Sequence, residues 1–234
     1  MGKSKKQVSP KTEKPKNEKF TKSLRQKGGV YFYCGAIMGR KNVFVTDEYI
    51  NLLVNAFKMA ELRKDVKNLG YVIMPNFFYW MFRLSEKNDN PVDVYKDVKK
   101  QVALEILQNL SKEQREGSYE IAKLFQGNER VGRSKPEKIL WTFEEYGKKF
   151  ENTKRYKVWV PRTEIRLIDN DELLQQKVTV MQKAPVSERW QMVNRSSKYP
   201  YMHLDEEIHV DVVDDLKLDN VCQKMPQSLA EVVV

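Results

Sequence analysis

The spacing of apolar residues changes period along the chain, and each change marks an element. Residues 29–38 read as a strand rich in aromatics. Thr46 or Asp47 can cap a helix running to about residue 67, whose apolar residues Ile50, Leu53, Val54, Phe57, Ala60 and Leu62 keep largely to a 3.6-residue repeat. Leu69-Gly70 reads as a turn into a strand at Tyr71, and Pro75-Asn76 breaks that strand before the next, over 77–84. Asn88 to Pro91 form a turn, with Pro91 well placed as a first helical residue. The helix that follows, over 92–110, carries Val94, Val98, Val102 and Ile106 at four-residue spacing. Residues 111–157 are a polar, partly helical insertion. A strand over 157–168 then leads into a helix over 171–183, which Pro185 ends. This order predicts an α+β fold.

Side chains alternate faces along a strand, so Phe77, Tyr79 and Met81 should share one face, and Phe78, Trp80 and Phe82 the other. That matters because of the motif in which they sit.

Residues 71–80 read Tyr-Val-Ile-Met-Pro-Asn-Phe-Phe-Tyr-Trp. The stretch resembles the signature of the single-tyrosine HUH transposases, in which Tyr-Val-Ile-Met-Pro-Asn leads into His-x-His. Three other stretches are similar to the same family. The opening from Tyr31 through Val43-Phe44-Val45 to Glu48 resembles its first strand, hairpin and first helix. The run from Trp159 to Leu174 resembles the strand before its catalytic helix. Gln176 to Val186 resembles the Tyr-Ile-His-x-Asn-Pro-Val helix of the REP-associated tyrosine transposases. Together these cover residues 29–203, and the resemblance implies a ferredoxin-like antiparallel sheet with helices packed on it.

In that family a tyrosine phenolate attacks a scissile DNA phosphate, and a metal held by two histidines polarises the phosphoryl oxygens. Here the histidine positions hold Phe77 and Tyr79. Aligned on Pro185-Val186, the nucleophile position holds Val180, and the position of a further ligand holds Ala184. A phenyl ring is no metal ligand and a phenol is a poor one, and valine has no nucleophilic atom. The resemblance therefore implies a transposase relative without strand-cutting chemistry, and no metal or other cofactor is expected. A substitute nucleophile at Tyr79, Tyr199 or Tyr201 remains a competing reading. Phe77 and Tyr79 themselves have two readings: a plug filling the vacated pocket against Val180, or a platform that stacks single-stranded bases. Val180 makes the facing helix more apolar, which favours the plug.

Charge then narrows the partner. The chain of 234 residues carries a formal +10. Residues 1–29 hold nine Lys and one Arg against Glu13 and Glu18, a net of +8. Residues 205–234 hold eight acids against Lys217 and Lys224, a net of −6, which leaves +8 on 30–204. The body is itself basic, as a nucleic-acid partner would want. Residues 1–28 are expected to be a disordered basic arm, 29–203 the transposase-like domain with its insertion at about 111–157, and 204–234 an acidic tail.

No apolar run is long enough to span a bilayer, and the lysine-rich start lacks the apolar stretch of a secretory signal, so no membrane association and a cytoplasmic location are expected. Lys6 stands where a myristoylation signal wants Ser or Thr. Cys34 and Cys222 lie far apart and are expected as reduced thiols. His203, His209 and Cys222 match no zinc spacing, and no glycine-rich phosphate loop occurs.

Candidate DNA contacts are the basic residues Arg40 and Lys41 in the expected first hairpin, and Lys99 and Lys100 on the second helix. Arg130, Arg133, Lys135 and Lys138 cluster in the insertion, and Arg195 and Lys198 flank paired serines. The reading that results is a transposase-like protein that binds hairpin or single-stranded DNA without cutting it. A protein-interaction module on the same fold, and an active transposase with a displaced site, are the alternatives. Because the family commonly dimerises through sheet edges, a homodimer is also expected.

Overall fold

The computed structural model describes residues 24–117, 134–150, 155–161 and 165–208. Strand β1 (Val30–Ala36) leads through a 3-10 turn at Met38–Arg40 into helix α1 (Asp47–Lys64). Strands β2 (Val66–Met74) and β3 (Phe77–Leu84) form a hairpin around the Pro75-Asn76 corner. Helices α2 (Pro91–Glu116) and α3 (Pro136–Lys148) follow, then strand β4 (Ile165–Ile168), helix α4 (Asp171–Lys183), a 3-10 turn at Ser196–Lys198 and strand β5 (Met202–Leu204).

Among the described residues the strands form one antiparallel sheet in the order β4-β1-β3-β2-β5. The first four strands, with a helix after β1 and another after β3, have the split β-α-β arrangement of a ferredoxin-like sheet. The fold is α+β with β5 added outside β2.

Alternation works as expected in β3. Phe78, Trp80 and Phe82 join Tyr31, Tyr33 and Ile73 on one face, under Leu53, Phe57, Val98, Val102 and Ile106 of α1 and α2. Trp80 is fully buried, stacks 4.7 Å from Phe57, and satisfies its indole by donating to Asn68 Oδ1 at 3.0 Å. The helix starts follow the sequence. Pro91 opens α2 after Asn90, whose side chain accepts from the Val92 N–H, and Asn170 caps α4 by accepting from Leu173 at 2.8 Å. Thr46 is the N-cap of α1, although its side chain makes no capping bond.

Several expectations are corrected. Helix α1 stops at Lys64, because Asp65 takes the left-handed conformation (φ 51°) and β2 begins directly at Val66. Leu62, counted in the apolar stripe, lies off it and is 79% exposed. Gly70 is not a turn. It sits inside β2 at a register shift, and a Cβ there would come within 2.8 Å of the His203 carbonyl, so glycine is what lets β5 approach. No hairpin forms after β1. Instead the Val43 and Phe44 N–H groups both donate to the Pro75 carbonyl (2.8 and 2.9 Å), laying residues 43–45 across the β2–β3 corner. The single strand expected over 157–168 is an isolated bridge of Trp159 with Ile37, followed by β4.

The ends of the described chain are packed. Leu24 is buried and its carbonyl accepts from the Tyr31 hydroxyl at 2.6 Å. Beyond β5, Asp205 N–H donates to Leu69, Glu207 pairs with Lys67 and with Arg83 (2.8 Å), and Ile208 is buried. No helix among the described residues is long and apolar enough to cross a membrane.

Candidate nucleic-acid interface

The second face of the sheet carries Phe32, Val72, Met74, Phe77 and Met81, with Tyr79 half-buried beside them. Helix α4 lies over it through Val178, Met181 and Ala184, and the irregular chain after α4 adds Trp190 and Tyr199. The rings interlock: Phe77 meets Tyr79 edge-on at 5.1 Å, Tyr79 lies 5.2 Å from Phe32, and Phe77 lies 6.0 Å from Trp190. The Lys177 ammonium sits 5.0 Å over the Phe32 ring. Phe77 is left 8% exposed. Among the described residues no three His, Cys, Asp or Glu side chains gather as a metal site.

One expected contact is corrected. Val180 does not face the two aromatics. At 100° per residue it stands well around the helix from Met181, half-buried and outside the cluster, so Val178, Met181 and Ala184 supply the lid.

Two tyrosines named as substitute nucleophiles are held as phenols. Tyr199 is buried, donates to the Ile73 carbonyl at 2.7 Å, and burial drives its pKa far above the usual value. Tyr201 donates to Asp47 Oδ1 at 3.0 Å. Burial, the bond to that carboxylate and its charge push the Tyr201 phenol up to about 12. Neither group is a phenolate near neutral pH.

At the corner where β2 turns into β3, this filled face gives way to a cleft of about 300 Å³ lined by Arg40, Asn42, Asn76, Arg189 and Trp190. Asn76 is buried, and its Nδ2 donates to the Arg40 carbonyl and to Asn42 Oδ1, both at 3.1 Å. Gly39 and Arg40 are both left-handed (φ 65° and 51°), glycine readily and arginine at a cost. The Arg189 guanidinium lies 5.2 Å from the Trp190 ring centre. Burial, and then the positive charge of Arg40, hold its pKa below the usual arginine value. Among the described residues no carboxylate pairs with Arg40 or Arg189. Two cations sharing one cleft is an arrangement that an anion relieves.

The other basic candidates scatter. Lys41 is half-buried just after Arg40. Lys99 is not a free surface cation. Its ammonium lies 3.5 Å from the Val160 carbonyl and 5.8 Å from the Trp159 ring, while the indole donates to the Lys99 carbonyl. Burial first, then the charge of Lys157, pull it down to about 8. Lys100, Lys135 and Lys138 are exposed on or beside the helices of the opposite face. Arg195 and Lys198 are exposed in the chain after α4, and Arg130 and Arg133 lie outside the described residues.

No family model matches this chain. No curated protein matches it. Among solved structures it is similar to a REP-associated tyrosine transposase bound to a REP hairpin, at 17% identity over 76% of this chain and 78% of that one, with a TM-score of 0.48. The fold assignment rests on the strand order itself, and that likeness adds nothing to it.

Arg189 and Trp190 were not among the residues that the sequence singled out. Their signal is weak, since they lie in an irregular segment with no motif spacing. Only the packing of that segment against the Asn76 corner brings them to Arg40.

Proposed function

We propose that the protein is a transposase-like nucleic-acid-binding protein that engages hairpin or single-stranded DNA and does not cut it. The observation that carries this reading is the filled second face. Where the resemblance expects two imidazoles, a metal and a phenolate, Phe77 and Tyr79 lie under an apolar helix face. Phosphoryl transfer at that face needs a nucleophile and charge stabilisation, and apolar packing offers neither. The phenols of Tyr199 and Tyr201 are ill-suited to replace the nucleophile. Binding is supported by the basic body and by the two arginines at the rim of the filled face, which pair with no carboxylate among the described residues.

The test is a titration of the full chain with hairpin-bearing and unstructured DNA across a salt series, alongside denaturing gels with magnesium or manganese. Affinity that falls steeply with salt, with no covalent adduct, is the expected result. A metal-dependent protein–DNA adduct would restore the active-transposase alternative.

One observation favours the protein-interaction alternative. Trp141 on α3 is 64% exposed, and large exposed aromatics are enriched at interfaces. Partner binding through such a surface would be nearly indifferent to salt. Among the described residues the two edge strands of the sheet are short, four residues in β4 and three in β5, and offer dimerisation little edge. Light scattering at micromolar concentration decides it.

A further inference from the structure

We infer that the Arg40–Arg189 cleft is a phosphate-binding site, and that it takes a backbone phosphate of a nucleic-acid strand passing the Pro75-Asn76 corner. The inference rests on the nucleic-acid reading and adds to it a specific place and ligand group.

Three independent features point to an anion. Two arginines, both solvent-exposed, line one small cleft, and no described carboxylate pairs with either. Like charges brought together in a partly desolvated cleft repel unless something anionic lies between them. Arg189 shows that repulsion in its lowered pKa, with burial as the larger cause.

The second feature is construction. Arg40 is held left-handed, a conformation costing a non-glycine residue roughly 1–2 kcal/mol. A buried asparagine clamps its carbonyl, and the same Nδ2 ties in Asn42 across the cleft. Strain of this sort persists where the surroundings over-determine it, and it clusters at ligand sites.

The third is chemistry. Guanidinium groups present planar donor forks matched to phosphate oxygens, and Asn42 and Asn76 contribute neutral amides beside them. Trp190 forms one wall, but Arg189 lies by its ring and Phe77 lies 6.0 Å away. The cleft therefore reads a charged group rather than stacking a base.

A phosphate could come from a strand or from a small phosphate compound, and the experiment separates these sources. The full chain carrying Arg189→Gln, or Arg40→Asn to respect the left-handed backbone, is titrated with fluorescein-labelled oligothymidylate over a salt series. Lys58→Gln, an exposed cation on α1, serves as the control. Thermal melts with inorganic phosphate against chloride at matched ionic strength run in parallel and check that each variant folds.

The expected result is a roughly tenfold loss of affinity at low salt for either cleft variant. The slope of log K against log salt should shrink by about 0.7, one single-strand phosphate contact, while Lys58→Gln changes little. Wild-type affinity retained by both cleft variants overturns the inference and leaves the nucleic-acid reading standing. An equal loss in Lys58→Gln also overturns it, since charge anywhere would then suffice. If the wild type binds no strand, yet phosphate raises its melting temperature and the cleft variants abolish that rise, the nucleic-acid reading has failed. The cleft then serves a small phosphate compound, and the strand inference falls with it.

Discussion

The two faces of the sheet are built differently. On the first, α1 and α2 lay regular apolar stripes over Tyr31, Tyr33, Phe78, Trp80 and Phe82, whose side chains interlock in a fully buried core. On the second, helix α4 and the irregular segment after it cover Phe32, Phe77, Tyr79 and Met81, and the cover ends at a cationic cleft. Regular helices maximise buried area and satisfied backbone. An irregular cover leaves a rim where side chains can face a ligand. On the proposed reading, stability and recognition are divided between the faces, and substitutions on each should show it.

The largest effect belongs to the first face. Trp80→Ala removes a fully buried indole stacked on Phe57 and takes away the donor that Asn68 Oδ1 accepts from. A loss of about 3–5 kcal/mol in chemical denaturation is expected. A loss below 1 kcal/mol would mean that the two faces do not differ in this way.

Phe77→Ala probes the second face and should cost somewhat less, about 2–3 kcal/mol, because the irregular cover can partly collapse into the space. DNA affinity should hold. Unchanged melting with weakened single-strand binding would instead make Phe77 an open stacking platform.

This division explains what was legible in the sequence. The 3.6-residue repeats of α1 and α2 and the alternation in β3 are local signals, and they mark the part of the first face that those elements build; Ile139, Leu140 and Phe143 of α3, in the stretch read as a polar insertion, also join that core. The Tyr71–Trp80 stretch locates the second face and Phe77 within it, but Met181 rather than Val180 joins that cluster. The cleft was half visible through Arg40. Arg189 was not, because its partnership with Arg40 spans most of the chain and passes through coil. Nor was β5, since three residues carry no measurable period and only Gly70 in β2 hints that a neighbour approaches.

Lys99 is an exception on the stable face, a cation desolvated beside Trp159. Its folded pKa of about 8 lies below the ordinary lysine value of 10.5. Between these values the unfolded chain binds the extra proton, so Lys99 makes stability rise with pH from about 8 toward 10.5. Below pH 8 it is charged in both states, and that gain is absent. Tyr199 and Tyr201 act oppositely, since their raised pKa values make stability fall once pH exceeds about 10. Lys99→Met should therefore stabilise the protein at pH 7 by on the order of 2 kcal/mol. It should also flatten the stability profile between pH 8 and 10. A profile that still rises there would assign the rise to another group.

The smallest expected effect sharpens the comparison most, because it should move stability and binding in opposite directions. Arg40 has its φ at 51°, where a Cβ is disfavoured and glycine is at ease. Arg40→Gly removes that strain at some cost in unfolded-chain entropy, for a net gain of up to about 1 kcal/mol. On the first face, Lys99 aside, the packed residues are apolar, and their substitution is expected to cost stability. At the cleft the arginine is kept despite its strain, which is reasonable if its charge is used. Higher stability with a weaker, less salt-dependent grip on oligothymidylate is the expected pair of outcomes. Lower stability would show that the Arg40 side chain's own contacts already offset the strain, and the second face would then be as well relaxed as the first.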